Sequence, residues 1–292
     1  MAIDKLQEKI RKLKNPTMVD LCISDEHIPP HIWQEEENAL RAYGRYYHEL
    51  LTRLQGMIPA VRVKLGHFSL MGPDGLLLLH DVTYLAKELG YYVLLDAPES
   101  LSGESAQSTA DKLFAPNCYW WFDGLVLSAY AGTDVIKPYA SYLKQSGKDL
   151  FVVLRTANKS ASQLQDMLSG SRLVHIAAAD MADRMGKELI GRSGYSQIGG
   201  IGPASNADSL KKLRAMYKSM FLLIDGYDYS YANAKICSLA FDKLGHGAIA
   251  CASSGIMAAW KEEGCNGLEY ARFAEEAVER MKKNLLRYIT IL

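Results

Sequence analysis

Lysine, histidine and aspartate fall at the ends of apolar runs in this chain. Lys64 lies near the end of the run from Ala60 to Leu65, His67 follows it by three residues, and Asp96 closes the run that begins at Tyr91. Brought to one barrel mouth, Lys64, His67 and Asp96 could move protons, because histidine titrates near neutrality and a neighbouring carboxylate tunes it. Structural packing of His67 is the competing reading. In the loop after Asp96, Glu99 and Glu104 either partner Lys64 or stand as solvated carboxylates. A lyase or isomerase built on Lys64, His67, Asp96 and Glu99 is one chemistry open to such a set. His27, His31, His80, His175 and His246 show no metal-ligand spacing, and the five cysteines form no C-x-x-C pair, so no metal is expected. Ser253 and Ser254 have no evident base partner in the sequence. Gly199-Gly200-Ile201-Gly202 lacks the G-x-G-x-x-G order of a phosphate cradle. The run Tyr119-Trp120-Trp121-Phe122 suits packing of helix on barrel, whereas Tyr227, Tyr229 and Tyr231 suit a ligand ring or a protein interface as readily as packing.

Elements that would position these residues recur with a regular beat. Short apolar runs occupy Val19 to Ile23, Ala60 to Leu65, Tyr91 to Asp96, Gly124 to Leu127, Leu150 to Leu154, Gln197 to Ile201, Phe221 to Asp225 and Gly247 to Cys251. They are continuous rather than alternating, as expected of parallel strands covered on both faces. Helix-like stretches separate them: Pro73 to Leu89, Ser160 to Leu168, Ala177 to Leu189, Ala204 to Met216 and Tyr231 to Leu244, with a turn at Gly191 to Gly194. Eight strand-then-helix units predict an α/β fold, a single (β/α)₈ TIM barrel spanning residues 1–292 as one domain. Ile3, Leu6, Ile10 and Leu13 at helical spacing predict an amphipathic helix over Met1 to Lys14, not a signal peptide. Residues Leu268 to Leu285 predict a further amphipathic helix on the barrel exterior.

Of the 292 residues, 33 are basic and 33 acidic, so no overall positive field draws the protein to nucleic acid or to an anionic membrane. No apolar run approaches the ~20 residues that span a bilayer. Scattered cysteines, odd in number, fit a reducing cytoplasm rather than a disulfide framework.

The order and spacing of several segments resemble the orotidine 5′-phosphate decarboxylase family, in its longer bacterial branch, over nearly the whole chain. Leu21-Cys22-Ile23 followed by Asp25 resembles its first strand, and Val63-Lys64 its second-strand lysine. Arg155-Thr156-Ala157-Asn158 with Leu164-Gln165-Asp166 resembles its Arg-Thr-Ser-Asn and Leu-Gln-Asp segments, and Ser253-Ser254-Gly255-Ile256 its last turn. The resemblance implies a homodimeric barrel that decarboxylates orotidine 5′-phosphate to UMP without metal or organic cofactor. It implies an alternating Lys-Asp-Lys-Asp network in which one lysine donates the proton and the second aspartate comes from the neighbouring subunit. By this likeness Lys64 and Asp96 hold the first two catalytic positions, and Asp25, Ser105, Thr156, Asn158, Tyr227, Ser230 and Ser254 fall at ligand-binding ones.

Against that pattern, Pro98 stands where the second lysine belongs and Leu101 where the second aspartate belongs. No lysine occurs between Lys87 and Lys112 to replace the proton donor. At the phosphate end, Asp225-Gly226-Tyr227-Asp228 replaces a glycine-rich turn, and Gly255 replaces the arginine after the serine pair. The expectation is therefore a decarboxylase-like barrel that has lost efficient decarboxylation and acts as a non-catalytic partner or a binder of an altered small molecule. A pyrimidine nucleoside or nucleotide fits such a cavity, and a homodimer or heteromer the assembly. An authentic decarboxylase with a rebuilt site is the alternative.

Overall fold

The computed structural model describes residues 1–97, 103–228, 230, 232–262 and 264–292. Eight parallel strands close a barrel: β1 (Thr17–Leu21), β2 (Ala60–Lys64), β3 (Tyr92–Asp96), β4 (Gly124–Ser128), β5 (Asp149–Val153), β6 (Ile198–Pro203), β7 (Leu222–Asp225) and β8 (Ala248–Ala252). Each pairs with its neighbour in sequence, and β8 returns to β1 through Thr17 opposite Ala250. Side chains alternate between the barrel axis and the helical shell, so a strand enclosed on both sides must be apolar at nearly every position. Every residue of β1 and β3 is buried accordingly.

The predicted amino-terminal helix is present over Ala2–Leu13, burying Ile3, Leu6 and Ile10. Its polar contacts show what it covers. Ala2 donates its amide to the Gly147 carbonyl at 2.8 Å, Asp4 accepts the Ser193 amide at 2.8 Å, and Gln7 accepts the Gly247 amide at 2.9 Å. Those partners lie just ahead of β5, β6 and β8, so the helix closes the amino-terminal end of the barrel and leaves the carboxyl-terminal mouth for chemistry. The carboxyl-terminal helix, Tyr270–Leu286, packs against the helix Ala39–Leu54 and β1, burying Phe273, Ala277, Val278 and Met281. Among the described residues no helix is long and apolar enough to cross a membrane.

Two expected helices are replaced. Over Ser160 to Leu168 the chain makes only a 3-10 turn, Lys159–Gln163, followed by a hairpin of Leu168–Ser169 with Arg172–Leu173 turning at Gly170 (φ 65°). Side-chain bonds from Gln165 to Thr156 compete there with helical ones. The stretch toward Leu244 is helical only over Ala234–Ser238, because the Asp242 carboxylate accepts the amides of Leu244 and His246 and bends the chain into a turn.

The glycine run is part of β6, buried throughout, and is no phosphate cradle. A Cβ on Gly199 would stand 2.7 Å from the Phe221 carbonyl and 2.9 Å from the Phe151 ring. Those two rings meet edge to face at 6.1 Å, so the missing side chain makes room for an aromatic pair. Gly199→Ala should therefore lower unfolding stability by about 1–3 kcal/mol, read as a lower denaturant midpoint in chemical unfolding.

Candidate active site

Five charged side chains from four strands converge at the carboxyl-terminal mouth: Asp20 from β1, Arg62 and Lys64 from β2, Asp96 from β3 and Asp225 from β7. Two apart on one strand, Arg62 and Lys64 share its inner face. Arg62 is 6% exposed and bridges three strands. Its Nε and Nη2 donate to Asp96 at 2.9 and 2.5 Å, and its Nη1 donates to Asp225 at 3.0 Å and lies 3.8 Å from Asp20. The Lys64 ammonium sits 2.7 Å from Asp20. Register places Lys64 opposite Asp96, and Asp20 opposite Arg62. The charges nonetheless pair crosswise, because the longer guanidinium reaches Asp96 and leaves Lys64 to Asp20.

Burial pushes the Asp20 carboxyl above the usual carboxylate range, against the pull of Arg62 and Lys64. Burial works against the Lys64 ammonium, but the charge and hydrogen bond of Asp20, together with Asp225, hold the lysine above its ordinary value. Lys64 is thus protonated at neutral pH, and both cations are already engaged by carboxylates. Asp20, Asp225 and Cys251 bring potential metal-ligand atoms within 4.8 Å of one another. The guanidinium beside Asp20 and Asp225 supplies the positive charge there, so this set does not fit a metal.

Above this network lies a cavity of about 220 Å³, lined by Asp20, Lys64, Asp225, Asp228, Ser253 and Ser254 among others. The Asp228 carboxylate accepts the backbone amides of Ser253 and Gly255. Desolvation in the loop, with Asp20 and Asp225 nearby, pushes its carboxyl up in spite of those amides. At Gly255 a Cβ would come within 2.5 Å of Asp228 Oδ1. The loop after β7 therefore occupies the space that a side chain at position 255 would need. On the same rim Ser254 Oγ is 3.0 Å from His27 Nε2, and Ser253 Oγ is 3.2 Å from Cys22 Sγ. Burial, with Lys261 nearby, holds the His27 imidazole below its ordinary value, so its neutral ring can accept from Ser254. That base partner for Ser254 lies 227 positions away and was not visible in the sequence.

The other expected site residues scatter. Lys64 and Asp96 both reach the mouth, but among the described residues the His67 side chain pairs with neither. His67 is exposed on the short helix Leu65–Ser69. Asp25 is exposed and accepts the Tyr43 hydroxyl at 2.6 Å. Thr156 donates to Asn158 at 2.6 Å and also bonds Gln165. Beside them Arg155 grips Asp166 with two bonds of 2.9 Å, so the two resembling segments clasp each other. Ser105 is exposed on the helix Gly103–Leu113, Ser230 is exposed, and Tyr227 is half-buried beside Asn284. Glu99, Pro98, Leu101, Tyr229 and Tyr231 lie outside the described residues. Of the aromatic run only Phe122 is buried, while Tyr119 and Trp121 are exposed. Asp20 and Arg62 were missed as site residues, although a charged residue inside an apolar parallel strand is itself a signal.

Removing the guanidinium should be severe: Arg62→Met leaves three carboxylates without their shared cation and should destabilise the fold by about 3–5 kcal/mol, measured by chemical denaturation. The Arg155 guanidinium, through hydrogen bonding and charge, holds the Asp166 carboxyl below its ordinary value. A depressed folded value means stability present above the ordinary aspartate value of 3.8 and lost as pH falls through the folded value. Asp166→Asn should therefore flatten the acid limb of a stability-versus-pH curve at and below that value while lowering its neutral plateau.

Comparison with known proteins gives this geometry its setting. No protein-family model matches the chain. A curated orotidine 5′-phosphate decarboxylase from Clostridium tetani is 28% identical over 291 residues, covering 99% of each chain. Another from Petrotoga mobilis is 25% identical over 287 residues, covering 98% of each. Among solved structures, an orotidine 5′-monophosphate decarboxylase from Plasmodium berghei superposes with a TM-score of 0.80 at 13% identity over 99% of both chains. That from Leishmania donovani gives 0.73 at 20% identity over 98% of both. In sequence, from end to end, this chain is thus similar to curated orotidine 5′-phosphate decarboxylases, and it shares its closed barrel with solved members of that group.

Proposed function

We propose that this protein no longer decarboxylates orotidine 5′-phosphate efficiently and instead binds a small molecule without a phosphate, of pyrimidine nucleoside character, at the barrel mouth. The observation that carries the reading is the Asp228 carboxylate seated on the amides of Ser253 and Gly255. TIM barrels commonly seat a phosphate in the loops after strands seven and eight. In this chain a carboxylate of its own stands among those loops. A dianion brought there would displace Asp228 or lie against it, and like charges in a partly desolvated site repel.

The charge inventory supports the same reading. Among the described residues, the cations that bridge Asp20, Asp96 and Asp225 are Arg62 and Lys64, and each is already paired. An anionic substrate carboxylate would find no free cation among these groups. Pro98, at the position the family pattern gives to the proton-donating lysine, has no proton to give. Lys64 is protonated and lines the cavity, which is the one feature that favours the alternative of a rebuilt decarboxylase. The proposal takes the chain as one domain, cytoplasmic in keeping with its free cysteines, acting as a homodimer or as one partner in a heteromer.

Calorimetric titration with UMP and uridine, alongside steady-state turnover of orotidine 5′-phosphate, tests it. Uridine should bind at least as tightly as UMP, and turnover should stay far below ~1 per second, the low end of ordinary enzymes. Asp228→Ala should shift the preference toward UMP by freeing the two amides. Turnover of ~1 per second or more, or UMP bound about tenfold more tightly than uridine, a difference of ~1.4 kcal/mol, would establish the decarboxylase instead.

A further inference from the structure

We infer that the protein carries a second ligand site, at the end of the barrel opposite the mouth, that takes a small aromatic carboxylate. The site is a cavity of about 680 Å³ walled by Phe114, Trp120, Trp121, Phe122 and Tyr142, with Lys148 at its base. Lys148 immediately precedes β5 and Phe122 stands just ahead of β4, so the cavity opens at the amino-terminal end of the strands. Nothing in it is shared with Lys64, Asp96 or the Asp228 loop, and the inference does not rest on the reading of the mouth. Its volume falls within the ~300–1,000 Å³ typical of small-molecule sites.

The walls specify a flat ring. Phe114 meets Phe122 edge to face at 6.0 Å and Tyr142 at a 44° tilt at 6.1 Å, while Trp121, 45% exposed, forms part of the rim. Rings held this way offer faces and edges to another aromatic group.

Lys148 specifies the charge. Its ammonium stands 3.6 Å from the centre of the Phe122 ring and 5.5 Å from that of Phe114, and donates to the Leu113 carbonyl at 3.2 Å. An ammonium has three donors, and among the described residues Lys148 meets no carboxylate. Lys87, also on the wall, differs: Asp123 holds it at 2.6 and 2.7 Å, which neutralises that pair. Burial holds Lys148 below its ordinary value in spite of the more distant Asp123, as expected of a cation taken from water with no carboxylate in direct contact. A ligand carboxylate would supply that counter-ion as a charge-assisted bond. The other wall charge, Asp111, is bonded by the Tyr142 hydroxyl and by Gln107. With one lysine unmatched and one carboxylate nearby, a monoanion is favoured over a phosphate dianion.

Isothermal titration of the full chain with indole-3-acetate and with uncharged indole tests the inference. Indole-3-acetate should bind at least about tenfold more tightly than indole, Lys148→Met should abolish that difference, and Lys148→Arg should retain it. Equal affinity for the two probes, an unchanged advantage for indole-3-acetate in Lys148→Met, or no saturable binding of either would overturn it. Should circular dichroism show Lys148→Met unfolded, the comparison of the two probes on the unaltered protein decides.

Discussion

A guanidinium buried among carboxylates from three strands is the constraint around which the barrel mouth is organised. Carboxylates inside a closed barrel are tolerable only with a cation to match, since an isolated buried charge is costly. Arginine suits the place because its planar fork offers five donors in fixed directions and so serves Asp96 and Asp225 at once, with Asp20 close by. Lysine, a point charge on a flexible stem, takes the remaining partner, Asp20. Both cations of the mouth are thereby engaged before any ligand arrives. Each cation points at one or more of the protein's own acids.

The rim repeats the theme. Asp228 and Gly255 are mutually dependent: the carboxylate fits because no side chain stands at position 255, and a side chain there would collide with it. The two departures from the family pattern are thus one structural event. Two amides that could hold an external anion hold an internal one. The same rim is tied to β1 by Ser253 to the Asp20 carbonyl and to the turn that follows β1 by Ser254 to His27, so the loop after β8 is braced against its neighbouring strand.

The architecture was legible in the sequence because parallel strands covered on both faces leave an unambiguous trace. Val93-Leu94-Leu95 and Leu125-Val126-Leu127 have no polar interruption that would allow an exposed face. Regions that went astray are those where side chains bond backbone groups. Gln165 with Thr156, and Asp242 with Leu244 and His246, redirect segments that local composition would have made helical. Gly199 was equally opaque, since a glycine in a strand can admit a ligand or a ring, and only the positions of Phe151 and Phe221 choose between them.

Sequence by itself determined the fold class, the helix that closes the amino-terminal end, and the presence of Lys64 and Asp96 at strand ends, because each follows from periodicity along the chain. It also showed which residue types departed from the family pattern at positions 98, 101 and 255. What those charges do was decided only in three dimensions. Asp20 and Arg62 are 42 positions apart, Arg62 and Asp225 are 163 apart, and Ser253 and Asp228 are 25 apart. Pairing between such groups depends on side-chain reach across a closed barrel. That reach is set by strand order and stagger, which leave no mark on local sequence.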